Sequence, residues 1–155
     1  MEKIIVPNLI NLDLKANNKQ AAIKQLGCLL NDANRLRDYD AYIKNVQERE
    51  ALTTTGIGFG IAIPHGKTNA VKEISVAFGR LHNPIEWESL DGKPVSMIFQ
   101  LAVPESSCGD EHLRLISALS RQLIHEEFRQ ELQKADSSEE VLKIIGSSLE
   151  SKMEV

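Results

Sequence analysis

The stretch Thr53-Thr54-Thr55-Gly56-Ile57-Gly58-Phe59-Gly60-Ile61-Ala62-Ile63-Pro64-His65-Gly66 leaves the backbone few choices. Three hydroxyl residues lead into three alternate glycines, and a short apolar run follows. That run stops at a proline, with a histidine and a glycine behind it. Pro64 fixes φ, donates no ladder hydrogen bond and biases Ile63 towards extended backbone. The pattern predicts a glycine-rich loop, a short buried strand from Ile61 to Ile63, and a histidine held at the strand's end. Gly66 lets the chain turn there and leaves one side of the imidazole uncovered. By residue type alone His65 is a surface group or a satisfied core group. Its place at the end of a rigid element, where functional side chains concentrate, points to chemistry instead. Alternate glycines also suggest a nucleotide loop, but that fingerprint follows a strand and opens a helix. Here the glycines precede the apolar run, Pro64 and Gly66 oppose a helix, and no Walker lysine–serine pair is present.

The rest of the chain supplies strands and helices around this stretch. Residues 4–14 alternate loosely between apolar and polar and read as an edge strand or extended arm, broken at Pro7-Asn8. Asn17-Asn18 offers a helix cap, and Ala22, Ile23, Leu26, Leu29 and Leu30 fall at helical spacing from Lys19 to about Asp32. Gly27 inside that helix is a weak point or a close-packing site. A second helix spans about Asp40 to Leu52, with Ala41, Tyr42 and Val46 on its apolar side. After His65, Gly66-Lys67-Thr68-Asn69 reads as a polar turn and Lys67 as a solvated lysine. Ile74 to Leu81 alternates as a strand that ends at His82-Asn83-Pro84. Asp91-Gly92 is a turn signal, and Val95 to Val103 is the most apolar strand, expected to be central. Ser106 to Asp110 is a capping loop before a helix from about Asp110 to Leu123. Leu115, Ile116, Leu119 and Leu123 form its apolar face, and His112 lies on the inward side of its first turn. His125 reads as exposed. Amphipathic pieces at about Glu126 to Lys134 and Ser137 to Leu149 complete one domain over residues 1–150, with a frayed tail at 151–155. Short strands interleaved with helices give an α/β layered fold.

Length and charge narrow the function classes. A chain of 155 residues is about one domain. A net charge of −4 gives no basic footprint for nucleic acid. No apolar run reaches the length of a membrane span, and the amino-terminal apolar run is too short for a signal peptide. Cys28 and Cys108 lie far apart and form neither zinc spacing nor a CxxC motif. They read as reduced thiols of a cytoplasmic protein.

The run Arg49-Glu50-Ala51-Leu52 followed by Thr55-Gly56-Ile57-Gly58 and Gly60-Ile61-Ala62-Ile63-Pro64-His65-Gly66 resembles the active-site segment of the fructose/mannitol family of phosphotransferase-system IIA components. Trp87 through Val95, Ala102-Val103-Pro104-Glu105 and Gly109-Asp110-Glu111-His112-Leu113 resemble that family's second half in order and spacing. Trp87 and the Leu90-Asp91-Gly92 turn are closer to the fructose-type branch than to the nitrogen-regulatory one. The family often has asparagine where this chain has Phe59. The resemblance implies a central mixed β-sheet flanked by helices on both faces, and no cofactor. It also implies an arginine, here Arg49, beside a phosphorylated histidine, here His65. The implied donor is the phosphocarrier HPr, and the implied acceptor is a cysteine of a IIB domain. Neither Cys28 nor Cys108 matches that cysteine.

The chemistry is consistent with these residue types. A neutral imidazole nitrogen is a nucleophile near physiological pH, and its phosphoryl adduct is reactive enough to pass the group onward. Phosphoryl transfer depends on positioning and on stabilising charge over the equatorial oxygens. His65 is the expected acceptor; His112 is its orienting or hydrogen-bonding neighbour, or a helix-start histidine bonded within its own turn. Arg49 offsets phosphoryl charge, although a cation in a last helical turn also suits the helix dipole. Thr55 offers a hydroxyl to the phosphoryl group, and the glycine loop offers backbone N–H groups. Two other readings stay open at this point. One is a regulatory protein switched by phosphorylation. The other is a metal enzyme using His65 and His112, against which no HExxH or paired-carboxylate spacing is present.

Overall fold

The computed structural model describes residues 4–106 and 111–153. A 3₁₀ turn at Pro7–Leu9 leads into β1 (Ile10–Leu14), α1 (Lys19–Asp32) and α2 (Tyr39–Leu52). Then come four strands, β2 (Gly56–Gly58), β3 (Ile61–Ala62), β4 (His65–Thr68) and β5 (Ser75–Ile85), followed by β6 (Val95–Pro104). Three helices follow: α3 (Glu111–Leu123), α4 (Glu126–Lys134) and α5 (Ser138–Met153). The last helix thus continues beyond Leu149 and through the first three residues expected to be frayed.

The strands form one six-stranded mixed sheet in the order β1-β5-β6-β3-β2, with β4 also paired to β6. β6 is antiparallel to β5 and parallel to both β3 and β4. Phe78 and Phe99 stand opposite each other across β5 and β6, with ring centroids 5.0 Å apart. Nearly every residue of β6 is buried, whichever way its side chain points, so both faces of the sheet are covered. Among the described residues no helix is long and apolar enough to cross a membrane.

Local chemistry explains the helices. Asn18 caps α1 by accepting from the Ala21 N–H at 2.9 Å, and Asp38 caps α2 by accepting from Ala41 at 3.1 Å. α1 buries Ala22, Ile23, Leu26 and Leu30, and Gly27 is a close-packing site where a Cβ would meet Ile43 Cδ1 at 2.5 Å. α2 turns Tyr42, Ile43, Val46 and Glu50 inward, and Ala41 is exposed rather than apolar-side. α3 buries Leu115, Leu119 and Leu123, as its spacing predicts.

Two strand boundaries differ from the sequence reading, both at prolines. Pro64 does not end a strand; it divides one. Ile61 lies opposite Met97 and His65 opposite Leu101, so the register against β6 is the same on both sides of the proline. Proline lacks a donor but keeps its carbonyl, and that carbonyl accepts from the Leu101 N–H at 2.9 Å. Residues 65–68 are therefore strand and not a turn. β5 likewise continues through His82-Asn83-Pro84 to Ile85, where its register against β6 is irregular. A proline fits there because no ladder hydrogen bond is required of it.

Candidate functional site

α2 lies directly against β4. A Cβ on Gly66 would sit 2.8 Å from Asn45 Oδ1 and 3.0 Å from Val46 Cγ2, so only glycine allows the helix to approach this closely. The glycine after His65 thus serves helix contact, rather than a turn. The approach brings the last turn of α2 beside the first residue of β4. Between them lies a surface cleft of about 620 Å³ lined by Asn45, Arg49, Leu52, His65 and Lys67, among others.

His65 is half-buried. Its Nδ1 lies 2.9 Å from the carbonyl oxygen of Ile63. A carbonyl can only accept, so this bond puts the proton on Nδ1 and leaves the lone pair of the neutral ring on Nε2. The backbone on either side is fixed, because Ile63 N–H donates to Thr55 O at 3.0 Å and Pro64 O accepts from Leu101. Leu101 is held in turn by Tyr42, whose hydroxyl donates to its carbonyl at 2.9 Å. Burial pushes the Tyr42 pKa upward, so the hydroxyl stays a donor.

Arg49 lines the same cleft as His65, and its Nη1 donates to the Thr53 carbonyl at 2.9 Å. The guanidinium therefore caps the helix end and borders the cleft at once. Lys67 is no solvated turn lysine. It is half-buried, two residues beyond His65 on a strand, and shares the cleft. Strand alternation puts residues i and i+2 on one face, so recognising β4 as a strand would have found it.

Thr55 bonds away from the cleft. Its hydroxyl donates to Glu50 Oε1 at 2.5 Å and its N–H to Glu50 Oε2 at 2.9 Å, and the residue is buried. The hydroxyl proton expected for a phosphoryl group is committed to Glu50. The glycines are also not a cradle at His65. They form a hairpin whose tip runs through Gly58, Phe59 and Gly60 at φ of 100, 61 and 76°. Ser96 on β6 donates backbone N–H to Gly60 O there, whereas His65 lies opposite Leu101. Those two points on β6 are roughly 16 Å apart at strand rise. The Phe59 N–H is already taken by the Asp91 carboxylate at 3.2 Å. Hydrogen bonds from the Lys93 and Phe59 N–H groups help hold Asp91 below its ordinary pKa of 3.8. His112 falls in the first turn of α3, but its side chain lies outside the described residues, as do Cys108 and the loop 107–110. His125 is exposed. Among the described residues no cluster of three or more His, Cys, Asp or Glu side chains could hold a metal ion.

The residue missed by sequence reasoning is Glu50. Its side chain is 3% exposed, and Oε2 also accepts from Trp87 Nε1 at 3.2 Å and from Lys19 Nζ at 3.3 Å. A signal was present: Tyr42, Val46 and Glu50 recur every fourth residue, which puts a carboxylate on the buried face of α2.

Known proteins resemble this chain in sequence and fold. The fructose-specific EIIA component of Haloferax volcanii is 42% identical over 142 residues, 92% of each chain. The fructose-specific EIIABC component of Bacillus subtilis is 36% identical over 92% of this chain, which matches 22% of that longer protein. The crystal structure of nitrogen regulatory protein IIA-Ntr from Neisseria meningitidis superposes with a TM-score of 0.82 at 36% identity, covering 91% of this chain and 95% of the other. The family described as phosphoenolpyruvate-dependent sugar phosphotransferase system, EIIA 2, matches residues 3–148, and this chain belongs to it.

Proposed function

We propose that this protein is a phosphocarrier of the sugar phosphotransferase system, of fructose type, working in the cytoplasm. The observation that carries the reading is the 2.9 Å bond from His65 Nδ1 to the Ile63 carbonyl, which directs the ring's lone pair to Nε2 beside a cleft with two cations. Phospho-HPr is the donor. Nε2 attacks phosphorus, a new N–P bond forms, and the donor's N–P bond breaks with its electron pair returning to the donor imidazole. Arg49 and Lys67 offset charge on the equatorial oxygens, and His112 is the second histidine of the site. In the second half-reaction a cysteine thiolate of a IIB domain attacks the phosphorus. An S–P bond forms, and the N–P electron pair returns to His65. The Bacillus relative, whose name joins A, B and C components, supports a IIB partner.

Incubation with phosphoenolpyruvate, enzyme I and HPr tests this. Wild type is expected to take up acid-labile, base-stable label, and folded His65→Ala is expected to take up none. Label on His65→Ala would move the acceptor to another residue, and an unlabelled, folded wild type would overturn the carrier reading. A second reading has one observation behind it, the likeness to the Neisseria IIA-Ntr structure. On that reading phosphorylation of His65 controls protein binding, with little onward flux. A labelled protein that passes phosphate to no IIB domain would support it.

A further inference from the structure

We infer that Glu50 is a positioning residue for the His65 imidazole, although it touches neither the imidazole nor the cleft around it. This rests on the carrier reading above. A hydrogen-bonded path connects the two. The Glu50 carboxylate accepts from the N–H and hydroxyl of Thr55 at 2.9 and 2.5 Å. The Thr55 carbonyl accepts from Ile63 N–H at 3.0 Å. The Ile63 carbonyl meets His65 Nδ1 at 2.9 Å. Each link fixes the group that makes the next, and the last link selects the tautomer.

The same carboxylate fixes the other wall of the site. Glu50 follows Arg49 on α2, and by gripping Thr55 it holds the segment 53–55 against the helix end. Arg49 Nη1 bonds the Thr53 carbonyl within that segment. Acceptor and cation are thus both referred to one buried group. A buried carboxylate needs such saturation to remain charged. Three donors from Thr55 and Trp87, together with the Lys19 ammonium, which also lies 5.5 Å above the Trp87 ring, provide it. A helix-end glutamate with only a structural task could have bonded the loop alone. Here the loop it bonds is the one whose carbonyl orders Ile63 and, through it, the imidazole.

The test is Glu50→Gln in the full chain, which keeps size and removes the charge and one acceptor. Three readouts are needed: circular dichroism for fold, imidazole nitrogen NMR shifts of His65, and single-turnover phosphorylation by phospho-HPr. At saturating donor the rate constant is expected to fall about tenfold, with the half-saturating donor concentration changed less than about twofold. The His65 shifts are expected to move from the Nδ1–H tautomer towards a mixture. A folded Glu50→Gln protein with wild-type rate and shifts overturns the inference, as does a change confined to half-saturation. Should Glu50→Gln fail to fold, Thr55→Val and Thr55→Ser decide: serine restores rate and shifts and valine does not, and equality of the two overturns it. A wild type that takes no label while its His65 shifts respond to Glu50→Gln would sink the carrier reading and leave the positioning role standing.

Discussion

At the residue scale, the proposed nucleophile and one of its proposed cations share a strand face. His65 and Lys67 alternate with Gly66, whose missing side chain admits α2. Lys67→Met keeps the apolar stem and removes the charge. It is expected to lower the phosphoryl-acceptance rate at saturating donor about tenfold and leave the fold unchanged, measured by single-turnover labelling and circular dichroism. His65 was legible because proline and glycine punctuate it, and punctuation survives in a sequence read alone. Lys67 was not, because four residues after a proline look like a turn until β6 is seen to continue the register. The partner of Thr55 is hidden for a related reason. The Thr55 hydroxyl is near the glycines in sequence, but the partner that claims it, Glu50, stands on the helix before it.

At the element scale, the site depends on how closely α2 rests on β4. Gly66→Ala puts a methyl against Asn45 Oδ1, which can swing away, and against Val46 Cγ2, which cannot without moving the helix. The expected cost is about 1–2 kcal/mol in a denaturant melt, within the usual range for overpacking. Labelling is expected to slow as Arg49 moves with α2. The sheet is tied to α4 by Arg80, which donates to Leu12 O on one side and to the carbonyls of Leu132, Gln133 and Ala135 on the other. These include the last carbonyls of α4, which no helical N–H can reach. Arg80→Met is expected to lower stability by about 1–3 kcal/mol in the same melt, because charge-assisted bonds to partly buried acceptors are lost. Labelling at low temperature should persist, since none of these contacts is near His65. The span of α1 was readable from its Asn17-Asn18 cap and spacing, and that of α4 from amphipathic spacing alone. The far end of β5 was not, because Pro84 signals a stop and only the irregular pairing around it shows otherwise.

At the scale of the whole molecule, β6 is the strand that β3, β4 and β5 all pair with. Its apolar run made it recognisable as central. Strand order and direction were beyond periodicity, since alternation records which residues face inward and not which neighbour they meet. The fastening of β4 to β6 has a kinetic consequence. A histidine on a strand hydrogen-bonded to β6 has no arm on which to swing between partners. On the proposed carrier reading, donor and recipient must therefore visit the same patch of surface in turn, and neither can stay while the other works. Steady-state transfer from phospho-HPr to a IIB domain should then follow double-displacement kinetics. Reciprocal plots should be parallel, and excess unphosphorylated HPr should compete with IIB for the phosphorylated form. Intersecting lines would mean that two partners can be accommodated at once.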